Sequence, residues 1–221
     1  MRILPALLLG FATAGTAHAQ WAPDVNAGTL GAGAGATIAL TGSTSARFAV
    51  AGWDFKRNYS ESGVDYRAKL KLLNAPILLD WHPGGGRFRL SGGIVPNDNK
   101  ATLDAVPSSN ATFTFNNVTH NASEVGSATG SVKVNRIAPY VGIGFGNPVG
   151  RDTNWSFSTD LGVMYLGKPK ASLTVTCSAS ISASTCAQLE SDANAEVDQL
   201  NDAISRLRWY PVAQFHIGKK F

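Results

Sequence analysis

Charge is scarce in this chain. Lys, Arg, Asp and Glu make up 15% of its 221 residues, against roughly 25% in an ordinary soluble domain, so the usual solvated surface is under-supplied. The formal net charge of +4 is too small and too scattered to hold nucleic acid through its phosphates, and no nucleic-acid partner is expected. Cysteine is nearly absent too. Cys177 and Cys186 are the only two, and no histidine or second cysteine pair lies near them to complete the four ligands of a structural zinc. Beyond the first residues no stretch approaches the run of about 20 apolar residues that a transmembrane helix needs. Internal repeats, low-complexity linkers and breaks in composition are also missing, which leaves room for one domain. Gly142-Ile143-Gly144-Phe145-Gly146 is rich in glycine, but it precedes a turn with no helix after it and so lacks the setting of a phosphate loop. No cofactor is expected.

What is present begins with an export signal. Met1 and Arg2 form a short basic start, Ile3 to Phe11 an apolar core, and Ala17-His18-Ala19 a small-x-small site cut before Gln20. Residues 1–19 are therefore expected to leave as a signal peptide, and 20–221 to form the mature domain. No cysteine follows the cut, so no lipid anchor is expected there.

Glycine, at 23 of 221 residues, exceeds its usual share of about 7%. A closed β-wall explains both shifts: its outer face meets lipid and carries little charge, and glycines relieve crowding where tilted strands curve. Seven strands can be read, at 28–41, 46–56, 65–82, 87–104, 131–146, 155–175 and 209–221. Their alternation is plain at Leu73, Ala75, Ile77, Leu79 and Trp81, at Phe88, Leu90 and Ile94, and at Ile137, Val141, Ile143 and Phe145. Trp155 and Tyr165 bracket an apolar stretch as an interfacial girdle would. Short and long connections alternate, which puts 42–45, 82–86 and 147–154 on the periplasmic side and 58–63, 107–129 and 177–207 outside. Such barrels close on an even number of strands. An eighth is expected from Trp21 to Gly28, or from Ala111 to Val125, unless one of the long segments hides a break.

One segment departs from the β pattern. Thr185 and Gln188 have the spacing of a capping box, and Leu189, Ala193, Val197, Leu200, Ile204 and Leu207 then fall on one helical face. Glu190, Asp192 and Glu196 towards the start, with Arg206 and Arg208 at the end, would suit the helix dipole. This amphipathic helix, 186–207, is expected in the last long loop, packed on the barrel rim or on neighbouring loops, with a lid or a partner-binding helix as the alternative. Cys177 and Cys186 flank its approach, and in an exported protein so close a pair is expected to form a disulfide.

Polar residues on the opposite strand faces are candidates for a lumen network: Asp80, Arg89, Arg136, Asp160 and His216 would neutralise one another, because an unpaired buried charge is costly. Ser158, Asp160 and His216 could also be read as a hydrolytic set. They point inward, however, whereas a lipid hydrolase must present its nucleophile to lipid.

The chain ends on a strand in which Phe215, Ile217 and the terminal Phe221 follow one another on a greasy face. This resembles the final strand of bacterial outer-membrane barrels, which the barrel-assembly machinery reads through a terminal aromatic. Leu79-Asp80-Trp81-His82-Pro83, Phe88-Arg89-Leu90-Ser91-Gly92-Gly93, Ala138-Pro139-Tyr140-Val141-Gly142-Ile143-Gly144 and Trp209-Tyr210-Pro211 likewise resemble the small proteobacterial barrels of the OmpA-transmembrane and OmpW-like group. That resemblance implies an all-β fold: a small closed antiparallel up-and-down transmembrane barrel of about eight strands in the outer membrane, among outer-membrane lipid and lipopolysaccharide. It brings no catalytic motif with it. The function expected is structural, or a narrow path for a small solute. The alternatives are a lipid A hydrolase, which would need its Ser/His pair at the lipid boundary, and adhesion or partner binding through the long loops.

Overall fold

A computed structural model describes residues 20–61, 63–107, 112–121, 124–150 and 154–221. Residues 1–19, the expected signal peptide, lie outside these, as do parts of the expected loops at 107–129 and 147–154. The described strands are β1 (Trp21–Gly28), β2 (Gly31–Ala39), β3 (Thr44–Glu61), β4 (Val64–Asn74), β5 (Ile77–Trp81), β6 (Phe88–Pro96), β7 (Lys100–Pro107), β8 (Thr112–Phe115), β9 (Val118–Asn121), β10 (Val125–Lys133), β11 (Ile137–Phe145), β12 (Trp155–Tyr165), β13 (Lys170–Cys177) and β14 (Trp209–Lys219). One helix, α1 (Ala183–Ile204), lies between β13 and β14.

Eight strands close a ring, in the order β1-β2-β3-β5-β6-β11-β12-β14 and back to β1, every neighbour antiparallel. The strand that makes the count even is Trp21–Gly28, set against β14 through Val25↔Ile217 and against β2 through Val25↔Ala34. The other candidate region forms the small β8–β9 hairpin, apart from the wall. Its tip, Asn116-Asn117, has positive φ at both residues (48° and 62°), the geometry of the tight turn that matches strand twist.

Four of the expected long strands are not single strands. Each breaks in the middle, at Ala75-Pro76, Asn97 to Asn99, Val134 to Arg136 and Leu166 to Pro169. Proline has no N–H to give a ladder, and asparagines take over where the ladder stops. Asn99 Oδ1 accepts from Leu73 N (2.9 Å), Asn99 Nδ2 donates to Asn74 Oδ1 (2.9 Å), Asn74 Nδ2 to Leu30 O (2.9 Å) and Asn97 Nδ2 to Asn135 O (2.9 Å). Backbone groups that would otherwise be orphaned at the bend are met by this belt of side chains.

Above the belt the wall continues on one side only. The far part of β3, which runs on through the residues expected as a loop at 58–61, pairs with β4, and the sheet goes on through β7 and β10 to β13. This half-wall rises over the barrel where β14, β1 and β2 have already ended. Its inner face carries Val64, Tyr66, Ala105, Ala128 and Val175, packed with Phe113 and Phe115 of the hairpin and Leu189 of α1. Towards β3 the same face leaves Trp53, Phe55, Leu70 and Leu103 exposed.

The helix begins three residues before its expected start. Ser182 is the N-cap, its hydroxyl accepting from Thr185 N (3.2 Å), so Thr185 lies within the first turn. With that start, no acidic residue falls in the first turn and no basic one in the last. The expected apolar face is only partly used: Leu189 and Ala193 are buried, whereas Leu200 and Leu207 are exposed. Polar contacts complete the docking. Asn201 Oδ1 accepts from Ala171 N (2.8 Å), Glu196 Oε2 from Asn116 N (3.0 Å), and His120 Nε2 lies 3.1 Å from Asp192. Cys177 and Cys186 are bonded, tying the end of β13 to the first turn of α1.

Candidate functional site: a filled barrel lumen

Strand alternation decides what enters the barrel. On β3, Ser45, Arg47 and Ala51 are buried while Phe48 and Val50 face out; on β12, Ser156, Ser158 and Asp160 are buried while Phe157, at 72% exposure, and Leu161 face out. The same rule buries Asp24 and Asn26 on β1, Asp80 on β5, Arg89 and Ser91 on β6, and Gln214 and His216 on β14.

Asp24, Arg47, Asp80, Arg89, Ser91 and His216 form one cluster around Asp160. Arg47 Nη1 meets Asp160 Oδ2, and Nη2 reaches Asp160 Oδ1 and Asp80 Oδ1 (each 3.1 Å). Arg89 donates to Asp160 Oδ1 from Nη2 (2.9 Å) and Nε (3.2 Å), and Ser91 donates to Asp80. His216 lies between two carboxylates, with Nδ1 2.9 Å from Asp24 and Nε2 3.0 Å from Asp160. Only the doubly protonated ring donates from both nitrogens. In that form two guanidiniums and one imidazolium balance three carboxylates, as a buried charged cluster requires.

Of the five residues expected in this network, Asp80, Arg89, Asp160 and His216 meet inside the barrel. Arg136 does not: it is exposed on the outer surface, against Ile137, Pro96 and Asp98. Its parity along β11 would turn it inward, but it falls in the break between β10 and β11, where no ladder enforces alternation. Two members were missed, Arg47 and Asp24. Arg47 carried a usable signal, since it alternates with Phe48 and Val50 on a strand that had been read correctly. Asp24 lies on the strand whose existence the sequence left open.

A second layer lies above the charges. Leu30, from the turn between β1 and β2, packs with Ala51, Leu78, Val95, Ala138, Tyr140, Met164, Leu166 and Val212. The glycines of β11 and β12 make room here. A side chain at Gly142 or Gly162 would collide with the Tyr140 hydroxyl, and one at Gly144 with Arg89 and Asp160. The glycine-rich motif is thus a cradle for lumen side chains. Between the two layers remains a cavity of about 20 Å³, lined by Arg47, Tyr140, Asp160, Gln214 and His216 among others, enough for about one water molecule.

Ser158 and His216 are register partners, but the imidazole nitrogens face Asp24 at 2.9 Å and Asp160 at 3.0 Å, with Arg47 Nη1 3.4 Å from Nε2, rather than the Ser158 hydroxyl.

The outer face of the ring is apolar all round, with Val25, Phe48, Leu79, Ile94, Val141, Phe157, Leu161 and Phe215 exposed. Trp21, Trp81, Phe88, Phe145, Trp155 and Phe221 gather at the end that carries the tight turns, and Trp21 and Phe221 stack at 5.5 Å. At the other end Tyr165 meets Trp209 at 4.9 Å.

The chain matches no protein-family model and no curated protein. Among solved structures it is similar to Acinetobacter baumannii CarO2, with a TM-score of 0.59 and 20% identity over 92% of this chain and 99% of that one. It is likewise similar to Acinetobacter baumannii CarO, with a TM-score of 0.56 and 20% identity over 90% and 97% of the two chains. At that identity the likeness is one of fold, and it extends over nearly the full length of both proteins. It does not single out the OmpA-transmembrane and OmpW-like group.

Proposed function

We propose that this chain is a non-enzymatic protein of the bacterial outer membrane, whose barrel anchors an external half-wall and is closed to free flow of solute. The observation that carries this reading is the pairing of an unbroken apolar outer belt with a lumen filled by one charged and one apolar layer. A belt of that kind is stable only against lipid, and an eight-stranded ring is just wide enough for side chains to fill. A small solute would have to part Arg47 and Arg89 from Asp160 and then cross the layer of Leu30, Tyr140 and Met164. The export signal expected from the sequence of residues 1–19 supports the location. Membership of the OmpA-transmembrane and OmpW-like group rests on the sequence motifs alone.

Conductance across planar bilayers tests the closed state. The refolded protein is expected to insert without opening steps, and stable open channels would overturn the reading.

Phe215, Ile217 and Phe221 serve in this reading as the assembly signal. Phe221 N donates to Trp21 O (3.0 Å), at the seam where β1 and β14 close the ring. Deleting Phe221 is expected to lower the heat-modifiable, membrane-embedded fraction severalfold. Deleting 108–123 should leave insertion intact, since β8 and β9 make no pairing with the barrel. The opposite ranking would refute the assignment.

A further inference from the structure

Four lysines stand in one row across the outer face of the half-wall. Lys71 is directly opposite Lys100, Lys100 opposite Lys133, and Lys133 opposite Lys170. The row crosses four adjacent strands, so it is about 14 Å wide at the usual strand spacing. Like charges directly opposite one another destabilise a sheet. Lys71 is offset by Asp98 at 2.7 Å, whose carboxyl is held below the usual range chiefly by that hydrogen bond. Among the described residues, no carboxylate lies within ion-pair distance of Lys100, Lys133, Lys170 or Arg136.

The position of the row is as telling as its charge. On the same outer face Lys71 comes two residues beyond the exposed Leu73, and Lys133 four before the exposed Ile137, about 7 to 13 Å along a strand. That is headgroup depth if the apolar belt spans the hydrocarbon. Just below the row, at the bend, an outward-facing groove of about 600 Å³ is lined by Leu73, Ala75, Pro96, Asn97, Asp98, Arg136 and Ile137. Its apolar residues continue the lipid-facing belt, and Arg136 stands at its rim.

We infer that this surface binds the phosphorylated glycolipid headgroup of the outer leaflet, the phosphates lying against Lys100, Lys133, Lys170 and Arg136 and an acyl chain in the groove. The inference rests on the outer-membrane reading above. It gives Lys133 and Lys170 a counter-charge and adds to the one that Asp98 offers Lys71 and, at longer range, Lys100 and Arg136.

Native mass spectrometry of the refolded mature chain, with diphosphorylated lipid A, its dephosphorylated counterpart or inorganic phosphate, tests it. Wild type should retain the diphosphorylated form and lose the dephosphorylated one. Replacing three lysines together (K100Q, K133Q, K170Q) should weaken retention roughly a hundredfold, from about fivefold for each basic residue near an anionic surface. R136Q alone should weaken it less, and R67Q, further up the same face, should leave it unchanged. Heat-modifiable migration checks that each variant is folded. Equal retention of both lipids, or an unaffected triple variant, overturns the inference; so does equal competition by millimolar inorganic phosphate, which would make the ligand a free anion. Flotation with liposomes separates the two readings: a chain that does not float refutes the membrane assignment and this site with it, whereas one that floats without preferring the phosphorylated lipid refutes this site alone.

Discussion

The barrel and the half-wall above it are built from continuous stretches of the same wall, yet their faces are reversed. Along β5 and β4 the outer positions read Trp81, Leu79 and Ile77 in the barrel, then Lys71, Lys69, Arg67 and Asp65 above the bend. Along β6 and β7 they read Phe88, Leu90 and Ile94, then Lys100, Thr102 and Asp104; along β11 and β10, Phe145, Ile143, Val141 and Ile137, then Lys133, Ser131 and Thr129. Along the first two of these stretches the inner face changes in the opposite sense, from Asp80 and Arg89 below to Tyr66 and Ala105 above. In all three stretches the parity of the strand is kept through the bend while the outer side changes from apolar to polar. The lesson is that a β-wall has no fixed inside: the outer face is apolar around the ring and polar above it, and in the proposed outer-membrane setting the asparagine belt marks where hydrocarbon gives way to water.

If that is right, the two regions should respond differently to the same kind of damage. The largest effect belongs to the charged layer. Asp160→Ala leaves Arg89 without a carboxylate and Arg47 with Asp80 alone, and breaking a buried pair by removing one partner costs about 3–5 kcal/mol; the temperature at which the barrel loses its compact gel form should fall accordingly, while α1 stays docked. Next comes the outer face. Val141→Lys places a charge in the apolar belt, at about 2–4 kcal/mol near the midplane of a bilayer, whereas Thr129→Lys, on the same face above the bend, should alter stability by less than about 0.5 kcal/mol. Similar costs at the two positions in urea titrations of liposome-inserted protein would erase the comparison. The smallest effect on the barrel comes from the disulfide. Closing a short loop is worth about 2–3 kcal/mol to the segment it constrains, so reducing Cys177–Cys186 should lower the helical circular dichroism signal and leave heat-modifiable migration unchanged.

Much of the barrel was legible because its strands obey a period of two with one polar and one apolar side. The strand at Trp21–Gly28 was within reach, because closure demanded an even number. The breaks were not, since Pro76 and Asn97 to Asn99 read equally well as irregularities in an edge strand. Without the breaks, the half-wall merges into the barrel strands and Arg136 is assigned to the lumen by parity. Arg47 was legible and overlooked, although Phe48 and Val50 fixed its face. The start of α1 was misplaced because Thr185 and Gln188 fit a capping box, but Ser182 caps a turn earlier through the same chemistry. The polarity exchange was also written in the alternation of Leu79 with Lys69, and it becomes readable only once the bend at Pro76 is known.

The most direct test of that exchange is an accessibility profile along a single strand face. Spin labels placed singly at 79, 77, 73, 71, 69 and 67 in the liposome-inserted protein would be read against oxygen, which partitions into hydrocarbon, and a water-soluble nickel chelate. Oxygen should dominate at 79, 77 and 73, and the chelate at 71, 69 and 67, with the crossover between Leu73 and Lys71. A profile that favours the chelate throughout, or that crosses over below Ile77, would contradict the account.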